Sequence, residues 1–246
     1  ARRQFAATPR GFRLVVVAVL LLAIFAAANL VYQVVHKPSE MLEPASGALA
    51  KTPAETWRDY APLFRDYATA NVTPDLLAAV AQMEGSGDPL AHTYWRWHLT
   101  WRPFALYRPA STAVGMYQMT DPAFAEARRY CIRHHAVIAD GDGEGCWFTG
   151  LYTRLLPSHA IELAAIYLDR HVADLLAERP EAKATAEQRQ ELAAVVHLCG
   201  AGPARAFARH GFRLEPGERC GDHDVAAYVR HVGVLRREFR RLDAAG

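Results

Sequence analysis

Residues 158–176 read SHAIELAAIYLDRHVADLL, and this stretch decides the class of fold. Ile161, Ala164, Ala165, Leu168, Val172 and Leu175 recur every three or four residues, which puts them on one stripe of an α-helix and its charged residues elsewhere. Ser158 stands where an N-cap is expected, directly after Pro157. The same period continues on both sides. Thr73 or Asp75, with Pro74 in the first turn, begins a run through LLAAVAQME to Glu84. Asp121-Pro122 opens AFAEARRYCIRHH, and further helices are expected at about 184–198, 203–209 and 224–242. No segment alternates as a strand, and no internal repeat is visible. The expectation is a mainly α protein.

Leu14–Val35 reads LVVVAVLLLAIFAAANLVYQVV and carries no charge. At about 1.5 Å per residue it reaches roughly 33 Å, enough for a bilayer's hydrocarbon core. Arg2, Arg3, Arg10 and Arg13 precede it without an acidic residue, so the positive-inside rule sets residues 1–13 in the cytoplasm and the chain beyond about 36 on the far side. Ala26, Ala27 and Ala28 offer a signal-peptidase site, but the apolar run continues past them, which favours an uncleaved anchor. Pro38, Pro44, Ser46, Gly47 and Pro53 mark 36–55 as a linker, and 56–246 as the main domain.

Basic and acidic residues nearly cancel, 28 against 26, which argues against a nucleic-acid partner. Four cysteines in an exported chain suit disulfides. Three pairings are possible; the sequence-local ones, Cys131 with Cys146 and Cys199 with Cys220, are expected. No C-x-x-C spacing supports zinc. Asp140, Asp142, Glu144 and Gly145 fit the start of a calcium loop, but Leu151 holds the position of the bidentate Glu, so a turn-rich loop is expected there. No metal or cofactor is called for.

Glu84 closes an apolar helical segment and precedes Gly85-Ser86-Gly87-Asp88-Pro89. At the edge of a core, burial would raise its pKa and keep it protonated as a general acid; taken alone, the segment reads more readily as a solvated carboxylate at a helix end. Three more segments follow: Gly115-Met116-Tyr117-Gln118, then Ala160 to Leu168 (AIELAAIYL), then Val195-Val196-His197-Leu198-Cys199-Gly200. Their order resembles that of the lytic transglycosylase family, the soluble-lytic-transglycosylase (SLT) group with a lysozyme-like, goose-type fold. Its motifs are E-S-x-x-N-P, G-L-M-Q, N-I-x-x-G-x-x-Y-L and A-x-Y-N-x-G. Gly85 stands for the family's Ser, with Ser86 next door, and His197-Leu198 for its Tyr-Asn.

The resemblance implies a peptidoglycan-cleaving enzyme in which Glu84 is both acid and base. It cuts between N-acetylmuramic acid and N-acetylglucosamine and leaves a 1,6-anhydro ring. Ser86, Tyr117, Gln118 and His197 are the implied partners of carboxyl and glycan. It further implies a single-pass protein of the bacterial inner membrane, its catalytic domain in the periplasm, with glycan strands and components of a secretion or conjugation apparatus as partners. A hydrolase of the same fold would need a second carboxylate, for which Asp88, Asp121 and Glu162 are candidates. An inactive glycan-binding scaffold is the third reading.

Residues 90–110, LAHTYWRWHLTWRPFALYRPA, form an aromatic and arginine-rich insertion. Aromatic faces stack on sugar rings, which makes Trp97 and Trp101 candidate glycan contacts, beside the alternative of a packed flap. The basic tail helix with Val232, Leu235, Phe239 and Leu242 on one face is expected to pack on the domain.

Overall fold

The computed structural model describes residues 9–140, 146, 149–178 and 183–245. The calcium-like loop at 141–145 lies outside them. The protein is mainly helical: α1 (Arg10–His36), α2 (Pro53–Asp66), α3 (Pro74–Gly85), α4 (Asp121–Ala127), α5 (Pro157–Ala177), α6 (Ala186–Cys199), α7 (Ala201–Arg209) and α8 (Val225–Ala245). Among the described residues three two-stranded antiparallel hairpins join them: β1 (Trp95–Trp97) with β2 (Tyr107–Pro109), β3 (Tyr130–Arg133) with β4 (Ala136–Ala139), and β5 (Arg219–Cys220) with β6 (His223–Asp224). The chain forms two compact units. One contains the chain up to Pro44 together with Tyr94–Ala110; the other contains Ala45–Thr93 and the chain from Ser111 onward.

In the first unit, α1 is long and apolar enough to cross a membrane. Residues Pro38–Ala45, in the stretch expected to be a linker, form a 3-10 helix.

In the second unit α3 is the axis. Leu76, Leu77, Ala78, Ala79, Val80 and Ala81 are all fully buried, so this helix is enclosed on every side, and its small alanines let neighbours approach closely. α2 and α8 pack along it, and α5 and α6 complete the core. Capping boxes start two of these helices: Thr52 with Glu55 for α2, and Thr185 with Gln188 for α6. The tail helix packs on the domain. Of the expected stripe Val232 and Phe239 are buried, while Leu235 and Leu242 are partly buried against the same core; Val225, Tyr228 and Arg236 are buried with them.

Two local expectations are corrected. Ser158 does not cap α5. Pro157 takes the first helical position, where its missing N–H costs nothing, so Leu156 is the cap. The helix expected through AFAEARRYCIRHH stops at Ala127, and Tyr130–Ala139 is a hairpin. His134 and His135, both with φ near +50 to +60°, make the two-residue turn whose twist suits paired strands. Ile132, Val137 and Ile138 supply the β-branched residues. Glu162 of α5 accepts the Ile132 N–H at 2.8 Å and pins the hairpin to the core.

The cysteines pair locally, Cys131 with Cys146 and Cys199 with Cys220.

Candidate active site

Glu84 occupies the last position but one of α3, which ends at Gly85. Ser86 ends the helix in the left-handed region, at φ 51°. Gly85 has a steric reason: a Cβ there would lie 2.9 Å from Met116 Cα and 3.0 Å from Met116 O, so the 115–118 segment leaves no room for a side chain. Gly115, at φ +79°, is equally forced, because a Cβ would collide with the Arg154 carbonyl. The Gly85 contact brings the first and second sequence segments together, and the Gly115 contact seats the second on the loop that carries Arg154.

A cleft of about 390 Å³ opens over the Glu84 carboxyl. All four segments reach it: Glu84 from the first, Gln118 and Met119 from the second, Ala164, Tyr167 and Leu168 from the third, and Val196, His197 and Gly200 from the fourth. His223 of β6 adds a second imidazole. Among the described residues lining the cleft, Glu84 is the one carboxylate.

Two groups hold that carboxylate. The Tyr228 hydroxyl donates to Glu84 Oε1 at 2.6 Å, and His197 Nε2 lies 3.4 Å from the same oxygen. Tyr228 was missed in the sequence because it sits on α8 outside any of the four segments. The only hint was a Tyr on the apolar stripe of the tail helix. The Glu84 side chain is 21% exposed. Burial pushes its pKa up as expected, but the charge of His197, hydrogen bonds from His197 and Tyr228, and the charge of His223 together outweigh it. The net shift is downward, which corrects the expectation of a raised value. The Tyr228 phenol is driven the other way, chiefly by burial and then by the adjacent carboxylate.

The disulfide between Cys199 and Cys220 ties the end of α6, which carries His197, to the β5–β6 hairpin. Cys220 is paired there with His223. The elements that carry the two imidazoles are thereby tied to one another.

The other expected site residues fall differently. Gln118, with φ 44°, donates through its amide nitrogen to the carbonyls of Ala91 and Gly115, at 3.1 and 3.0 Å. Tyr117 borders the cleft floor but is 1% exposed, and its hydroxyl donates to Leu77 O of α3 at 3.1 Å. It is a packing residue, not a free ligand for substrate. Ser86 is exposed and does not line the cleft; the hydroxyl beside Glu84 comes from Tyr228 instead. Trp97 and Trp101 belong to the first unit, while the cleft is lined wholly by the second.

None of the three candidate second carboxylates lines the cleft. Asp88 is buried and accepts the N–H groups of Gly47 and Leu90. Asp121 pairs with Arg154, and Glu162 serves the β3 hairpin.

No family model matches the chain, and no curated protein matches it.

Proposed function

We propose that this chain is a peptidoglycan lytic transglycosylase with a lysozyme-like helical domain, held at the periplasmic face of the bacterial inner membrane by α1. One observation carries the reading. Four segments spread over residues 84–200 converge on a single cleft whose described lining holds one carboxylate, Glu84. Cleavage by a single Glu is the chemistry that distinguishes such an enzyme from the two-carboxylate glycosidases.

In the open cleft the groups around Glu84 hold its pKa down. A glycan filling the cleft removes water from the carboxylate and raises the cost of its charge, so Glu84 takes up a proton from solvent as the substrate binds. Glu84 then protonates the glycosidic oxygen as the bond from C1 of the muramoyl unit breaks. The substrate's acetamido oxygen stabilises the cationic carbon. The muramoyl 6-hydroxyl attacks C1 while Glu84 takes its proton, closing the 1,6-anhydro ring without consuming water. Tyr228 keeps the carboxyl aimed throughout. Because both amide hydrogens of Gln118 are engaged, its contribution to the glycan is the amide oxygen, an acceptor for a sugar N–H or hydroxyl.

A catalytic unit on a membrane anchor fits wall opening for a secretion or conjugation apparatus. Digestion of purified sacculi by wild type and Glu84→Gln, with mass spectrometry of the muropeptides, tests the assignment. Anhydro-muropeptides from wild type alone are expected. Reducing-end muramic acid would replace it with hydrolysis, and equal function of both proteins would replace it with a scaffold.

A further inference from the structure

The unit built from α1 and residues 94–110 places an aromatic hairpin against the far end of the apolar helix. Asn29 donates its amide to Tyr107 O at 2.7 Å, Gln33 donates to Phe104 O at 2.6 Å, and the Tyr32 and Phe104 rings stack with centroids 4.9 Å apart. Measured along the helix, Asn29 is about 22 Å and Gln33 about 28 Å beyond Leu14, against a hydrocarbon core of about 30 Å. The hairpin is thus fastened along the far part of the span, up to the depth where an acyl layer gives way to headgroups. A side-chain amide on a lipid-facing helix is costly unless it is bonded, and here hairpin carbonyls accept from the amide nitrogens of both Asn29 and Gln33.

The hairpin has two chemically different faces. Trp95 pairs with Pro109 and Trp97 with Tyr107, so these rings share one face and border a groove with Leu22 and Phe25 of α1. Arg96 pairs with Arg108 on the other face. Like charges directly opposite one another are unfavourable without a counter-ion, and residues 90–110 contain no Asp or Glu. At the tip, Leu99 and Trp101 are fully exposed and Trp97 is 70% exposed. Solvent-facing indoles beside two facing arginines suit a bilayer interface, where indole sits at the headgroup level and guanidinium meets phosphate.

We propose that residues 94–110 are an interfacial membrane-docking hairpin, inserting Trp97, Leu99 and Trp101 among phospholipids of the outer leaflet and binding their phosphates through Arg96 and Arg108. This replaces the expectation that Trp97 and Trp101 stack on sugar, and it rests on the reading of α1 as a membrane span.

The test uses the whole chain in vesicles of phosphatidylcholine and phosphatidylglycerol, brominated either near the carbonyls or near the chain ends. Shallow bromines are expected to quench tryptophan emission more than deep ones, and W97F/W101F to lose most of that shallow quenching. In R96Q/R108Q the quenching should cease to depend on phosphatidylglycerol. If the protein stays on carbonate-washed vesicles but W97F/W101F is quenched like wild type, the docking hairpin is wrong while the anchor stands. The docking hairpin is equally overturned if chito-oligosaccharides, and not lipid, shift the emission of these two residues. Release of the chain by carbonate overturns the membrane reading itself.

Discussion

The Tyr228 hydroxyl donates a 2.6 Å hydrogen bond to Glu84 Oε1, so a residue near the start of the last helix sets the state of a carboxyl 144 positions earlier. A donor to the charged form lowers a carboxyl pKa, and removing it raises that pKa. Hydrogen bonds to charged groups contribute about 1.5–3 kcal/mol, which corresponds to roughly one to two pH units. In Tyr228→Phe the alkaline limb of glycan cleavage should therefore move to higher pH by about one unit. The pH profile of anhydro-muropeptide release checks this; a profile that only drops in height would mean that Tyr228 aims the carboxyl without tuning it.

Glu84→Gln should lower the cleavage rate by about 10²–10⁴-fold, the usual contribution of general acid–base catalysis, with the helical signal intact. A second readout concerns stability. The folded pKa of Glu84 is depressed, so the native state binds its proton less readily than the unfolded chain. That contribution is present above the unfolded carboxyl range and is lost as pH falls through the folded value. Melting temperatures measured from pH 7 down to pH 3 should converge between wild type and Glu84→Gln in acid.

How far the sequence reached follows from where each signal is encoded. The 3.6-residue period of α5 and the apolar run of α3 lie in contiguous residues and were readable. So was the approach of the four segments, which the resemblance led one to expect and which line one cleft. The β3–β4 hairpin was hidden by RRYC and IRHH, which suit a helix by composition. Its turn depends on two histidines adopting positive φ, which propensity does not announce. The lowered pKa of Glu84 was unreadable for another reason. Burial, which the sequence suggested, is only one of the opposing contributions, and the others come from α6, α8 and β6.

Gly85 gives a prediction opposite to what the resemblance would suggest. Gly85→Ser should destabilise, because the new Cβ meets the Met116 backbone at 2.9 Å and the Ala91 side chain at 3.2 Å. Overpacking of this kind costs about 1–3 kcal/mol, and it would push the 115–118 segment away from Glu84. Denaturant titration should show the lower midpoint. A Ser variant as stable and as active as wild type would mean that the two segments can part at little cost.

The Cys199–Cys220 bridge closes a loop with a sequence separation of 21, for which chain entropy predicts about 3 kcal/mol. Its removal should also loosen His197 relative to His223. Cys199→Ser/Cys220→Ser is expected to lose both stability and cleavage rate. The Cys131→Ser/Cys146→Ser pair, whose bridge joins residues that do not line the cleft, should lose stability but keep its pH profile. Urea melts and pH–rate curves of the two double variants separate these outcomes.

Arg236 explains why α8 presents Tyr228 to Glu84. It is buried, with Nε 2.9 Å from Asp75 Oδ2 at the start of α3 and Nη1 2.6 Å from Glu187 Oε1 on α6. About two turns of helix separate Arg236 from Tyr228, so the ion pair fixes both the register and the rotation of α8 on α3. Replacing Asp75 by Ala leaves a buried guanidinium with Glu187 alone, and breaking a buried pair from one side costs about 3–5 kcal/mol. A double change, Asp75→Leu with Arg236→Met, removes both charges and should recover most of that stability. If register is what the ion pair supplies, cleavage should stay low in the double variant even where the melting temperature has returned. Recovery of stability and activity together would show that apolar packing positions Tyr228 without the ion pair.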